Sequence, residues 1–315
     1  MEIIEQWASA LKRQISERYK AKGNTLDYLL TALCCGGHVL LEDKPGTGKT
    51  VLARTLADLI GGSFSQISCT PDLLPSDIIG VSIYDEEKEA FTFRKGPLIS
   101  HVVLVDEINR ATPRSQSALL EAIAEGQVSI EGKTLKLPNP FFLLATESPV
   151  ETEGTFPLPE AQKDRFFMTL SPGYPDREAE REIMRNENRP SDNTAVAEKS
   201  FENLDKVRKS LTAVHVAPSL RNYILDLVER TRNDHRLVYG VSPRGSLALY
   251  KGAQALAGIR GRSYVSPEEI RDLAVPVFRK RILLRPEQIA QGMDEMSLLK
   301  ELVSGVEIPL GNRET

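Results

Sequence analysis

Residues 40–57, LLEDKPGTGKTVLARTLA, restrict the fold of this chain more than any other stretch. A short apolar strand, HVLLE, leads into a Pro-Gly turn, and Lys49-Thr50 opens a helix that runs to about Ile60. In a strand, glycine-rich loop and helix of this kind, backbone N–H groups converge on phosphate oxygens and the helix dipole adds partial positive charge. Gly46 and Gly48 let the backbone come close, so Pro45, Gly46, Thr47, Gly48, Lys49, Thr50 and Val51 form the candidate phosphate cradle. In this register Lys49 contacts the β- and γ-phosphates and Thr50 ligates Mg²⁺. The usual pattern has glycine where Asp43 stands. Asp43 lies at the strand exit, so its effect falls on how the loop leaves the strand and not on the cradle. The bland alternative is a glycine-rich turn that merely precedes a helix, and the Lys-Thr register speaks against it.

The rest of the first half repeats the alternation of apolar run and helix. HVVLVDE, PFFLLATES and DRFFMTL are apolar runs, and TPRSQSALLEAIAEG is a helix with Thr112 as cap and Pro113 at its first position. This alternation predicts a parallel sheet with helices on both faces. Ligands of such sheets bind at the carboxyl ends of the strands, where this chain carries the loop, Asp106 and Glu107, and residues 146–148. Asp106 is the second candidate Mg²⁺ ligand, with Thr50. Glu107 is the candidate base that orients and polarises an attacking water. An apolar strand ending in Asp-Glu is a weak signal alone and a strong one beside the loop.

Ahead of the loop, Ile4, Trp7, Leu11 and Ile15 form one helical stripe, and NTLDYLLTALCC reads as a second helix capped by Asn24 or Thr25. Two segments interrupt the α/β pattern. In residues 72–100, Val81, Ile83, Phe91 and Phe93 alternate around an acidic turn, and residues 126–139 turn near Glu131-Gly132; both read as β-hairpins. After SPGYPDRE the apolar strand runs stop. Residues 186–200 read as an exposed connection, and residues 173–315 as a smaller all-helical domain after a nucleotide-binding core over 1–172. Leu220, Ile224, Leu227 and Val228 form one of its stripes, and Ser266 and Glu269 have capping-box spacing.

Two arginines stand out. Arg244 falls at the second position of a helix capped by Ser242, where a cation opposes the helix dipole unless an anion is bound there. A solvated side chain that snorkels away is the alternative. Arg165, in EAQKDRFF, reads either as a surface or interface salt bridge or as an arginine finger that reaches a neighbouring subunit's γ-phosphate. The pattern alone does not choose, and Asp164 beside it is open to pairing with a nearby cation.

The chain has 315 residues, a net charge of −4 and three cysteines. The acidic balance disfavours general nucleic-acid binding, although RKRILLR, residues 279–285, is a local basic cluster. Three cysteines give neither a disulfide framework nor metal spacing, and they are expected to be buried apolar groups. Charges interrupt the apolar residues of MEIIEQWASALKRQ, and no run of about 18 apolar residues follows, so the cytoplasm is the expected location and no membrane span is expected.

LLEDKPGTGKTVLARTLA, TPDLLPSDIIGVSIYD, VDEINRATPRSQSALLEAIAEGQV, EGTFPLPEAQKDRF and GVSPRGSLALYKGAQALA together resemble the MoxR family of AAA+ ATPases, from about Gly37 to Val277. The resemblance implies an αβα core with a parallel five-stranded sheet of order 5-1-4-3-2, two β-hairpin inserts and a helical lid. It implies ATP with Mg²⁺, hydrolysis in a homo-oligomeric ring, a hexamer, and remodelling or activation of client proteins. Von Willebrand factor A-domain partners and metal-cofactor insertion also belong to what it implies. Arg165 matches the family's finger and Arg244 its second sensor, acting in cis or in trans. An acidic residue at the position of Asp43 is common there. One departure concerns the sensor stretch, written ATQNP in the family and ATESP, residues 145–149, here. Ser148 replaces the Asn that holds the attacking water or γ-phosphate, and Glu147 adds a negative charge, so slow hydrolysis or a water-mediated contact is the expectation. Tyr84, Phe91 and Phe93 are candidate client contacts, with packing inside the hairpin as the alternative. The rival readings are a nucleotide-dependent assembly switch that hydrolyses little, a DNA-associated motor resting on residues 279–285, and a small-molecule P-loop kinase, which lacks an evident acceptor site.

Overall fold

The computed structural model describes residues 2–42, 44, 46–130, 132–147, 154–186 and 200–309. The strands are β1 (Val39–Glu42), β2 (Phe64–Ser68), β3 (Gly80–Asp85), β4 (Ala90–Lys95), β5 (Val102–Asp106), β6 (Gln127–Ile130), β7 (Lys133–Lys136), β8 (Phe142–Glu147), β9 (Met168–Leu170), β10 (Leu237–Tyr239) and β11 (Leu283–Leu284). Five of them form one parallel sheet in the order β2-β5-β8-β1-β9. Counted among themselves along the chain, these five give 5-1-4-3-2 when read from the β9 edge.

The helices over the sheet are α1 (Glu2–Arg18), α2 (Thr25–Cys34), α3 (Lys49–Ile60), α4 (Pro75–Ile79), α5 (Pro113–Glu125) and α6 (Glu160–Lys163). Those that follow are α7 (Arg177–Asn186), α8 (Ser200–Leu211), α9 (Pro218–Arg232), α10 (Pro243–Ile259), α11 (Pro267–Phe278), α12 (Pro286–Ala290) and α13 (Glu295–Ser304).

The apolar runs of β5 and β8 are continuous because both faces of the sheet are covered. Side chains alternate between two cores. Val102, Leu104, Phe142 and Leu144 join the α1, α2 and α3 side, while Val103, Val105, Leu143 and Ala145 meet α4 and α5. Each fully buried side chain of this size contributes roughly 1.5–3 kcal/mol. The stripe of α1 is buried as its spacing requires. It lies against α3, α8 and α10, so the first core runs on without a break into residues 204–303. The two ends of α1 make close approaches to glycine. A Cβ on Gly48 would lie 3.3 Å from the Tyr19 ring, and one on Gly258 would lie 3.1 Å from Ile4.

Both expected hairpins form, β3 with β4 and β6 with β7. A Cβ on Gly80 would lie 2.3 Å from the Arg94 carbonyl oxygen, and its φ is 117°, so only glycine fits the base of the first hairpin. Gly132, at φ 77°, carries the turn of the second, and Glu131 lies outside the described residues. Residues 187–199, most of the expected connection, also lie outside them. The carboxyl-terminal half is helical and adds one two-stranded ribbon, β10 with β11. Strands of three and two residues are too short to give a readable alternation. Ser242 accepts the Gly245 N–H and caps α10, and Ser266 and Glu269 form the capping box of α11. Asn24 precedes α2 without a side-chain capping bond. Among the described residues, no helix is long and apolar enough to cross a membrane. Cys34 and Cys69 are buried and Cys35 is half-buried, all as free thiols.

His38 enters β1 buried, and its Nδ1 accepts the Leu143 N–H at 3.0 Å. Burial first, and the Arg208 charge second, lower its pKa to about 4. An unfolded histidine titrates near ~6.5. Between those values the unfolded chain takes up a proton that the folded chain refuses. Stability therefore falls as the pH drops through this window, by about 3 kcal/mol in all. His38→Gln keeps an acceptor and should flatten this part of the profile in denaturation midpoints. A slope that survives the substitution would assign it to another group.

Candidate functional site

The loop after β1 is built to leave donors open. Gly46 and Gly48 have φ of 81° and 80°, left-handed conformations that carry no penalty for glycine. Gly48 stands at the cap position of α3 and supplies no capping side chain. The first N–H groups of a helix have no intrahelical acceptor, and no side chain at the cap position satisfies them here. No heavy atom lies within 4 Å of a Cβ built on Gly46. The Lys49 ammonium donates to the Lys44 carbonyl oxygen at 2.8 Å, and Thr47 Oγ1 donates to the same oxygen at 3.3 Å. Thr50 lies in the first turn of α3, and Val51 after it is exposed. Uncapped amides, open glycines and a lysine of the same loop fit a polyphosphate. Pro45 and Asp43 lie outside the described residues.

The acid pair stands where the strand register requires. Val105 of β5 is level with Ala145 of β8, which is level with Leu40 of β1. Asp106 and Glu107 therefore end a strand two places from β1, about 10 Å across the sheet, on the loop's side. Thr146 Oγ1 donates to Asp106 Oδ1 at 3.0 Å, and Gln66 Nε2 donates to Asp106 Oδ2 at 2.9 Å. The Glu107 N–H donates to Thr146 Oγ1 at 2.9 Å, and Arg110 Nη1 donates to Glu107 Oε2 at 2.9 Å. One threonine hydroxyl thus ties both acidic residues to β8. A carboxylate with fixed orientation and a helix-start hydroxyl, Asp106 and Thr50, suit a hard divalent cation such as Mg²⁺. Cys69 packs beside this pair, its N–H donating to the Asp106 carbonyl oxygen at 2.9 Å. Burial, then the charges of Asp106 and Glu107, push its thiol up to about 12.

The two singled-out arginines meet each other's neighbourhood and lie toward the opposite end of the sheet. Met168 of β9 is level with Val39 at the start of β1, and the Phe167 N–H donates to the His38 carbonyl oxygen at 2.7 Å. Arg165 precedes both, toward the amino ends of the strands, and its Nη1 donates to the Leu120 carbonyl oxygen of α5 at 2.9 Å. Arg244, the exposed cation at the start of α10, pairs with Asp164 at 3.2 Å. The anion that its position calls for is, within one chain, this carboxylate. Asp164 also accepts from Ser242 Oγ at 2.9 Å and from Arg281 Nε at 2.8 Å. Arg281 is buried and donates further to the carbonyl oxygens of Phe166, Phe167 and Val277. Burial pushes its guanidinium below the ordinary value, with Asp164 opposing that shift.

Several neighbours of the site had no readable signal. Thr146, Gln66 and Arg110 are unremarkable polar residues until the register brings them to Asp106 and Glu107. Glu42, the last residue of β1, pairs with Arg279 and, at 2.9 Å, with Lys280. Most of the basic cluster RKRILLR is thereby paired within the chain. Arg279 and Lys280 meet Glu42, Arg281 meets Asp164, and Arg285 Nε donates to the His235 carbonyl oxygen at 2.8 Å. Much of the charge on which the DNA-associated reading rested is thus paired within the chain, while Arg285 stays exposed. Glu147 is level with Glu42 across the parallel pair and keeps one buried carboxylate oxygen without a hydrogen bond. Ser148 lies outside the described residues.

Known proteins agree with this architecture. Residues 38–168 match the family described as ATPase family associated with various cellular activities (AAA), and residues 229–302 match the AAA lid domain. The protein YeaC of Bacillus subtilis is 44% identical over 285 residues, covering 89% of this chain and 88% of its own. Chaperone MoxR1 of Mycobacterium tuberculosis is 38% identical over 298 residues, covering 91% and 78%. A crystal structure from Cytophaga hutchinsonii superposes with a TM-score of 0.89 at 37% identity, covering 98% of this chain and 96% of that one. The chain belongs to the MoxR family of AAA+ ATPases, a nucleotide-binding family of chaperone type.

Proposed function

We propose that this chain hydrolyses ATP at the borders between its own copies, in a ring of six, and uses the cycle to remodel or activate client proteins. The observation that carries the reading is the separation of parts across one sheet. The loop and the acid pair stand at the carboxyl ends of the strands, while Arg165 and Arg244 stand toward the amino ends. Parts so divided complete one site only when two copies meet, with both arginines acting in trans. Backbone amides of 46–50 and Lys49 hold the phosphates. Thr50 and Asp106 would hold Mg²⁺, which when bound would neutralise charge on the phosphate oxygens. Glu107 takes the proton of the attacking water, and Ser148 stands in the sensor position. Arg165 stabilises charge on the transferred phosphoryl group of the neighbouring copy. Residues 1–172 serve as the nucleotide core and 173–315 as the lid.

The name of the mycobacterial relative supports a chaperone-like role. So do the exposed Tyr84 and Phe91 on the first hairpin, whose rings meet edge to face at 5.4 Å. A von Willebrand factor A-domain partner, metal-cofactor insertion and a cytoplasmic location belong to the same reading.

Glu107→Gln should lower turnover by about 10²–10⁴-fold, the usual contribution of a general base, while ATP binding is kept. Turnover per subunit should rise with protein concentration as copies assemble. A Glu107→Gln chain that still hydrolyses at the native rate would refute the base. A second reading, an assembly switch with little hydrolysis, is favoured by Ser148 and by the contact of Arg110 with Glu107. Negligible turnover at every concentration, with nucleotide-dependent assembly retained, would decide for it.

A further inference from the structure

β9 is an edge strand of the sheet and only three residues long, about 10 Å from end to end. α11 lies against it. Arg279, Lys280 and Arg281 follow the last turn of that helix, held between the buried Phe278 and the buried Ile282. Long side chains reach either end of so short a strand, and these consecutive cations divide between the two ends.

Arg279 and Lys280 serve the carboxyl end. Both pair with Glu42, the last residue of β1 before the phosphate loop, Lys280 at 2.9 Å. Glu42 keeps only 10% of its side chain exposed. Arg279 Nη1 also donates to Ser171 Oγ, just past β9, at 2.8 Å, and Lys280 lies 3.9 Å from Glu295 at the start of α13. Arg281 serves the amino end. Its Nε donates to Asp164 Oδ1 at 2.8 Å and its Nη1 to the Phe167 carbonyl oxygen at 3.0 Å, so it grips the chain on both sides of Arg165. Its Cδ would lie 2.8 Å from a Cβ built on Gly245, the residue after Arg244. Arg281 therefore fixes the segments that carry both singled-out arginines.

Stability alone does not call for charges at this seam, since well-packed apolar side chains often serve a buried site at least as well as an ion pair. We propose that residues 279–281 are positioning residues that couple a copy's own phosphate loop to the arginines it offers to the next copy. The inference rests on the reading of Arg165 and Arg244 as acting in trans. Glu42 ends the strand that opens into the loop, so a displacement of the loop on filling carries Glu42 with it. Arg279 and Lys280 follow through their pairs, and the short backbone between them passes the shift to Arg281. Asp164 and Phe167 then carry the segment that bears Arg165. The arginine presented to a neighbour thus depends on whether the presenting copy has its own loop filled.

The test uses mixed rings in which one kind of border turns over. Arg165→Ala chains supply the sites, and Glu107→Gln chains at saturating ATP and Mg²⁺ supply the arginines. All measured turnover then belongs to sites whose own Glu42 is native. Adding Glu42→Gln to the arginine-supplying chain should lower kcat at those sites by about fivefold or more, the scale of coupling between distinct sites, and leave their KM for ATP the same. Arg281→Lys in that chain keeps a cation at Asp164, loses the fork to the carbonyl oxygens, and should lower kcat likewise. A purely structural role would weaken folding or assembly of the altered chain without slowing a site in its neighbour. An unchanged kcat, with the Glu42→Gln chain folded and incorporated into rings, would overturn the coupling. Should Glu42→Gln prevent folding, Lys280→Gln leaves Glu42 paired with Arg279 and is read in the same way. No turnover in the starting mixture, before Glu42 is changed, would instead overturn the trans reading of Arg165 and the coupling with it.

Discussion

Arg165→Ala should reduce ATP turnover by about 10³–10⁵-fold, the range associated with an arginine acting on a transferring phosphoryl group, and should leave nucleotide binding by the same chain intact. The size follows from where charge develops. A guanidinium that meets the phosphoryl oxygens only in the transition state removes about 4–7 kcal/mol of barrier. The direction follows from the fold. Arg165 lies three residues before β9, toward the amino ends of the strands, with its guanidinium on the Leu120 carbonyl oxygen. Its own loop is at the other end of β1. Mixing supplies the discriminating measurement. Arg165→Ala chains keep an intact loop and base, and Glu107→Gln chains keep an intact arginine. Where the two meet, one border of the mixed ring is complete. Recovery of turnover on mixing two inactive proteins is the expected result. Two proteins that stay inactive together, while each still assembles, would place Arg165 outside the reaction.

The second large effect concerns stability. Asp164→Ala should cost roughly 3–5 kcal/mol, the penalty for leaving a buried charge without its partner. Arg281 keeps only 4% of its side chain exposed, and Asp164 is its carboxylate partner. The carbonyl oxygens of Phe166, Phe167 and Val277 still accept from it, so the loss is of charge balance more than of hydrogen bonds. Arg244 contributes little to this sum, because its side chain is 59% exposed and exposed pairs are worth about 0–1 kcal/mol. Asp164→Asn keeps an acceptor for Ser242 and Arg281 and should cost less than alanine. Asp164→Ala combined with Arg281→Met should regain most of the loss. Chemical denaturation midpoints measure all three. A loss below about 1 kcal/mol for Asp164→Ala would mean that the carbonyl oxygens alone compensate the guanidinium.

What the sequence carried and what it did not divides by physical range. The loop was legible because its chemistry is local: glycines, lysine and threonine act within one turn of chain. Four of the five sheet strands were legible because burial on both faces makes their apolar runs continuous, and the hairpins because Val81 and Ile83 alternate with polar residues; β2 was not, because Ile67 is its one buried residue. The order of the strands came from the family resemblance, since no local pattern encodes which strand lies beside which. Arg244 is an intermediate case. Its place in the first turn of α10 called for an anion, and the fold supplies Asp164, whose identity no local rule contains. Glu42 with Arg279 and Lys280, and Thr146 with Asp106, join residues far apart in sequence. Nothing in either segment alone marks such a pair. The partners of RKRILLR were hidden for the same reason, because Glu42 and Asp164 are distant in sequence. β10 and β11 were missed because two or three residues are too few to show a period.

The amino-terminal helix has a mechanical meaning. Seventeen residues at 1.5 Å each make a rod of about 25 Å. Just past one end, the Tyr19 ring lies against Gly48 in the nucleotide loop; near the other, Ile4 lies against Gly258 near the far end of α10. Close-packed interiors pass small displacements on instead of absorbing them. A shift of the loop by a fraction of an ångström is therefore delivered along this strut to the far end of α10, the helix whose first turn carries Arg244.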